Sequence, residues 1–260
     1  MSEETEKSTS DEEEVLEETT LLSHLIELRN RLLKMATAIV LVFIVLLPWS
    51  RKIFAIVSEP LREVLPGNAM IATAVASPLL TPFKLTFFVA LFIAMPIVLY
   101  QVWAFIAPGL YSKEKHFGMP LLASSIILFY LGIAFAYFVV FPLVFTFFTS
   151  VAPEGVEVQT DISLFLDFII TIVFSFGIAF EVPIATVLIV WTGLTTPKKL
   201  GKVRPYVFLG AFILGMMITP PDVISQTLLA IPIYILYELG ILMAKIFSSK
   251  EEETKEDVQS

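Results

Sequence analysis

Three carboxylates stand out by the company they keep. Glu27 lies in SHLIELRNRLLK (23–34), where His24, Glu27, Arg31 and Lys34 recur three or four residues apart and so share one face of a helix. Glu114 lies in FIAPGLYSKEKHF (105–117), a short polar segment between two apolar blocks. Glu181 lies in GIAFEVPIA (177–185) and is the sole charged residue between Asp167 and Lys198. A carboxylate set among bases at a membrane surface accepts charge-assisted hydrogen bonds, and two such segments could converge on a cationic ligand. A plainer reading competes for the first two. Glu27 and Arg31 make an i,i+4 pair worth about 0.3–0.5 kcal/mol. Ser112 can cap a helix whose first turn holds Glu114, where the helix dipole favours a negative charge. Spacing alone favours that plainer reading for Glu27 and Glu114. It does not for Glu181, because a charge at mid-membrane depth costs about 2.5–3.5 kcal/mol and calls for a partner or a function. Asp167 and Glu238 fall nearer the ends of their apolar blocks and are expected to reach the interface.

The elements that must position these groups follow from composition. Of 260 residues 57% are hydrophobic and 16% charged, and the mean hydropathy is +0.84. A soluble domain carries about 25% charged residues. Stretches 85–112, 117–153 and 205–221 contain no Asp, Glu, Lys or Arg. Apolar runs near 20 residues match a hydrocarbon core about 30 Å thick. The chain is therefore predicted to be an all-α polytopic membrane protein with six transmembrane helices, at roughly 33–50, 80–106, 117–149, 162–191, 205–219 and 224–246. The fifth is short, at about 15–17 residues. Pro96, Pro120, Pro142, Pro183 and Pro232 lie within the spans and predict bent helices enclosing a concavity. Leu21, Leu25, Leu28 and Leu32 form a stripe suited to the membrane interface, and are expected to help wall a recess for the neighbouring charges.

The net charge of −8 is concentrated at the ends. Residues 1–20 carry −8 and residues 250–260 carry −3, so both are read as acidic disordered cytoplasmic tails flanking a membrane domain, 21–249, of net +3. The even-side segments hold eleven Lys and Arg against four on the opposite side, which predicts both termini in the cytoplasm. No cysteine and two distant histidines argue against disulfide, thiolate and histidine-rich metal sites. The acidic start is unlike a cleavable signal peptide. No GxxxxGK[ST], GxSxG or HExxH stretch occurs, so neither an enzyme nor a cofactor is expected. Work across the membrane would draw on partners, ion gradients or the membrane potential.

The residues resemble one family, the TatC subunit of the bacterial twin-arginine protein translocase. The matching stretches include HLIELRNRL (24–32), SEPL (58–61), LYQVWAFIAPGLYSKEK (99–115), FAYFVVFPL (135–143), FGIAFEVP (176–183) and TPPDVISQTLLAIP (219–232), in order along the chain. The resemblance implies a six-span, glove-shaped, multi-pass protein of the bacterial inner membrane. It also implies a receptor for signal peptides bearing paired arginines, which exports folded proteins on the proton-motive force. The implied partners are those peptides, single-span TatA- and TatB-type subunits, further copies of the chain and membrane lipid, with no nucleic acid. The implied peptide-binding residues are Glu27, Glu114, Arg29 and Phe105. Glu181 is the implied intramembrane polar site, and Pro60, Asp222 and Gln226 the implied outer-loop and partner contacts. Lys115 and His116 depart from the arginine pair that close relatives carry there. Two rivals remain at this level: a proton-coupled small-solute transporter using Glu181, and a scaffold that only assembles other membrane proteins. The first would be favoured by an internal repeat, and none is found.

Overall fold

The computed structural model describes residues 3–64, 70–106, 115–150, 160–218 and 223–259, with side chains between residues 22 and 246 apart from a few at segment ends. The described elements are helical. In chain order they are α1 (Glu3–Leu46), a 3-10 turn (Leu47–Trp49), α2 (Ser50–Val64), α3 (Ser77–Ile106), α4 (Lys115–Phe135), a π-turn (Ala136–Val140), α5 (Phe141–Ser150), α6 (Ile162–Ala179), α7 (Val182–Trp191), α8 (Pro197–Ile218) and α9 (Val223–Gln259). Six stretches are long and apolar enough to cross a membrane: Leu22–Glu59, Ser77–Ile106, Gly118–Phe147, Ile162–Trp191, Pro197–Met217 and Gln226–Ile246. These correspond one for one to the six predicted spans.

The bends have chemical causes. Pro48 starts the turn that separates α1 from α2. Beyond it α2 lays Ile53, Phe54 and Val57 on Leu85, Phe88, Leu166 and Ile170. The third span passes through the π-turn directly before Pro142. The fourth breaks at Phe180–Glu181, because Pro183 has no N–H to continue the ladder. The chain tightens there, with the Glu181 N–H donating to Ile178 O at 3.0 Å. The fifth span differs from expectation. Its helix starts at Pro197, so Lys198, Lys199, Lys202 and Arg204 belong to its first two turns and the stretch reaches 21 residues. A charge-free run marks the apolar part of a helix, while the helix itself continues through the interface.

The core lies where α4, α5, α6 and α9 meet, around Phe129, Val144, Ile172, Phe176 and Leu229. Glycines permit close approaches between the helices. A Cβ at Gly240 of α9 would stand 2.1 Å from Thr186 Oγ1 and 2.9 Å from Pro183 Cα of α7. One at Gly177 would stand 2.7 Å from the Phe129 ring. By contrast α1 rests mainly on α3, and α8 mainly on α9. The first and fifth spans are thus the periphery, and their apolar side chains (Leu41, Val45, Leu209, Met217) are exposed as lipid-facing residues are.

Candidate functional site

The site is built where α1 crosses the last turns of α3. Glu27 and Arg31 fall one turn apart on α1, as their spacing predicts, and both Arg31 Nε and Nη2 donate to Glu27 Oε1, at 2.9 and 2.5 Å. Arg31 Nη1 reaches Gln101 Oε1 of α3 at 3.4 Å. Gln101 is buried, and Arg31 retains only 18% of its side-chain exposure. The second oxygen of Glu27, Oε2, stands 4.0 Å from His24 Nδ1. His24 in turn lies against Phe105, ring centroids 4.8 Å apart. Glu27, Arg31, Gln101, His24 and Phe105 therefore form one cluster from two helices, with Glu27 one-third exposed.

Leu25 and Leu32 do not wall this cluster, while Leu28 is half-buried. Leu25 and Leu32 are 62% and 52% exposed and point away from α3. The polar face closes onto the protein because Arg31 and His24 find partners on α3. The leucines turn outward because hydrocarbon is the solvent there and their exposure costs nothing. The walls of the recess are Gln101 and Phe105.

The other predicted residues fall as follows. Arg29 is exposed and, two residues from Glu27, lies about 200° around α1. Glu114 lies outside the described residues, directly before α4 in sequence. Asp222 lies outside them too. Pro60 sits within α2, with its side chain undescribed. Gln226 is half-buried in the first turns of α9, its backbone carbonyl 3.3 Å from the Cβ position of Gly215 in α8. Glu181, at the break in the fourth span, accepts a hydrogen bond at Oε2 from the Ser125 hydroxyl of α4, while its Oε1 is buried with no hydrogen-bond partner among the described residues. Asp167 pairs with Lys84, and Glu238 takes a two-pronged pair from Arg204, Nε and Nη2 at 2.6 and 2.7 Å.

Sequence reading missed Gln101, Ser125 and Asp161. A glutamine within an apolar span was the available signal for the first. Asp161 is buried at the opposite end of the molecule, before α6. Its Oδ2 accepts from Thr73 N–H and Oγ1 at 2.8 and 2.7 Å, and its Oδ1 from Ser163 and Leu164 N–H at 2.8 and 3.2 Å. Backbone hydrogen bonds from Ile71 N to Thr160 O and from Ile162 N to Ile71 O complete the clasp. The Thr73 hydroxyl, aided by its N–H, holds the Asp161 carboxyl down to about 2.

Six apolar helical stretches, three of them interrupted, carrying a half-sheltered acid–base cluster at one end define a polytopic helical membrane protein. A family model described as Sec-independent protein translocase protein (TatC) matches residues 23–232. The chain is 55% identical over 238 residues to the Sec-independent protein translocase protein TatC of Azotobacter chroococcum, covering 91% of this chain and 93% of that one. It is 53% identical over 237 residues to the protein of the same name from Escherichia coli K12, covering 91% and 92%. A crystal structure of the twin arginine translocase receptor TatC superposes with a TM-score of 0.78 at 36% identity, covering 86% of this chain and 98% of that one. The chain belongs to the TatC family. It is a multi-pass membrane component of the twin-arginine translocase and not an enzyme.

Proposed function

We propose that this chain is the receptor subunit of the translocase and that Glu27 takes one guanidinium of an arginine-pair signal peptide. The observation that carries the reading is the asymmetry of the Glu27 carboxylate: Arg31 spends both bonds on Oε1, while Oε2 faces His24 at 4.0 Å beside the rings and amide that shelter it. An ionised carboxylate accepts at about four lone-pair positions, so Oε2 has capacity for an incoming donor. Arginine's planar fork suits it, and lysine's ammonium does not reproduce that geometry. Fully exposed pairs are worth about 0–1 kcal/mol, too little to select a peptide. Partly sheltered charge-assisted bonds reach about 1.5–3 kcal/mol each. In this reading Glu114 takes the second arginine, Phe105 packs against the peptide, and Arg29 on the outer side of α1 contributes least.

The excess of basic residues on this side supports a reading in which this end, with both termini, faces the cytoplasm from a bacterial inner membrane. Single-span TatA- and TatB-type subunits join the chain to form the path for folded cargo, driven by the proton-motive force. Pro60, Asp222 and Gln226 mark partner contacts toward the far side, and Glu181 is the polar site within the membrane. The reading is supported by the family membership and by a relative whose structure is named a twin arginine translocase receptor. Its test is photo-crosslinking of an Arg-Arg signal peptide to a probe at Gln101 or Phe105. The Arg-Arg peptide should give an adduct and a Lys-Lys control should not; equal adducts from both would refute it.

A further inference from the structure

The first turns of α8 present two faces. Thr196 O accepts from the Lys199 and Leu200 N–H groups at 2.9 and 3.1 Å, which starts the helix so that Lys198, Lys199 and Lys202 fall in its first two turns. One face is committed to α9: Arg204 pairs with Glu238, and the Tyr237 hydroxyl donates to Leu200 O at 2.8 Å. At about 100° per residue the three lysines share less than a third of the helix circumference, roughly opposite Leu200 and Arg204. All three are exposed, and among the described residues none pairs with a carboxylate. Residues 182–221 contain these lysines and Arg204 but no Asp or Glu. Glu238 neutralises Arg204, so the lysines remain as an uncompensated positive patch.

The same face continues as apolar surface. Tyr206, Leu209 and Ile213 fall within the same arc of about 100° and are 74%, 58% and 46% exposed. From Lys202 to Ile213 the helix rises about 16 Å, which matches one leaflet of a hydrocarbon core about 30 Å thick. Ammonium groups, then a phenol suited to the interface, then hydrocarbon follow one another down the helix. A phospholipid has that order of groups: phosphate, ester region, acyl chain. A soluble anion would use the lysines and leave the apolar stripe. An apolar protein helix would cover the stripe and leave three ammonium groups without a counter-charge.

We propose that this face of α8 is a binding site for an anionic phospholipid. Its phosphate is held by Lys198, Lys199 and Lys202, and an acyl chain lies over Tyr206, Leu209 and Ile213. The lipid belongs to the leaflet at the Glu27 end, because the first and fifth spans run in the same sense and both begin there. Lysine suits the task, being a compact charge on a flexible stem that follows a phosphate without needing a fixed fork geometry. Bound there, the lipid covers the outer side of a helix whose inner side rests mainly on α9. The site is independent of the peptide reading at Glu27.

The chain contains no cysteine, so Leu209→Cys labelled with bimane is a unique reporter. The labelled full chain would be placed in vesicles of phosphatidylcholine and phosphatidylglycerol, with one or the other brominated in its acyl chains to quench the probe. Phosphatidylglycerol should outcompete phosphatidylcholine at this position by at least about tenfold. A lysine near the membrane surface is worth about fivefold in association with anionic lipid, so each single Lys→Gln change should lower the preference by about two- to fivefold. Lys198→Gln, Lys199→Gln and Lys202→Gln together should bring it close to one. Lys198→Arg, Lys199→Arg and Lys202→Arg together should keep it, which separates loss of charge from loss of fold. A bimane at Leu41→Cys on α1 should show no preference in any form. Millimolar inorganic phosphate and added single-span subunits should both leave the quenching at position 209 in place. Equal quenching by the two lipids, or a preference that survives the triple glutamine change, would overturn the proposal. Displacement by phosphate would identify a free-anion site, and quenching abolished by the subunits would identify a protein-covered face; either would overturn it as well.

Discussion

Two buried or half-buried carboxylates at opposite ends of the molecule are used differently. Asp161 accepts four hydrogen bonds from Thr73, Ser163 and Leu164, and none of its capacity is left over. Glu27 places both Arg31 bonds on a single oxygen and leaves the other turned to His24. A saturated carboxylate is a fastener: it ties the 70–73 segment to the start of α6. Glu27, held by Arg31 on one oxygen and with room on the other among the described residues, suits the proposed role of cation receptor. Both sit beside hydrogen-bonding neighbours, so burial alone does not distinguish the roles. The count of donors already supplied by the chain does.

Removing the open carboxylate should have the largest effect. Glu27→Ala is expected to weaken Arg-Arg peptide binding about 10- to 100-fold, the loss of one to two sheltered charge-assisted bonds, without reducing membrane insertion. Comparable affinities in an equilibrium binding assay would break the comparison. A region with no carboxylate sharpens it. Gly240→Ala forces a Cβ to within 2.1 Å of Thr186 Oγ1 and against the Pro183 backbone, which should cost about 1–3 kcal/mol of stability in detergent. Peptide affinity of the folded fraction should stay unchanged, and Gly240→Ala combined with Thr186→Ala should recover part of the loss.

The saturated carboxylate should give a smaller, pH-dependent effect. Its folded pKa of about 2 lies below the ordinary value of 3.8, so the stability it contributes is full above about pH 4 and is lost as pH falls toward 2. Asp161→Asn should lower the unfolding midpoint at neutral pH by about 2–4 °C and flatten the acid limb between about pH 4 and 2. An unchanged acid limb would show that the clasp does not contribute to stability. The smallest effect belongs to Arg29→Ala, whose side chain lies on the exposed face of α1. A change in peptide affinity of no more than about two-fold is expected, the scale of an exposed charge. A loss as large as that of Glu27→Ala would mean the peptide approaches α1 from the opposite side.

Much of this architecture was legible from residues alone, for reasons that also explain what was not. Charge-free runs gave six spans, and prolines gave the breaks before Pro142 and Pro183, because those signals are local. The Glu27–Arg31 pair followed from i,i+4 spacing. The contact from Arg31 to Gln101 spans 70 residues and depends on how α1 is seated on α3, which no local pattern encodes. Leu25 and Leu32 of the leucine stripe stay exposed where a wall for the recess was expected. A stripe shows that a helix has two faces, and in a membrane the apolar one is free to look outward while polar groups seek the protein. The fifth span was read as too short because its lysine-rich first turns carry no hydropathy signal although they are helical. The clasp at Asp161 escaped notice because Thr73 lies 88 residues away in an irregular segment with no periodicity.

The proposed receptor role turns on the second oxygen of Glu27, and equilibrium binding of an Arg-Arg signal peptide and its Lys-Lys counterpart to the purified chain, in wild-type and Glu27→Gln forms, probes it most directly. The wild type should prefer the arginine pair by at least about tenfold, and Glu27→Gln should bind both peptides alike at the weaker level. A preference that persists undiminished in Glu27→Gln would contradict the account.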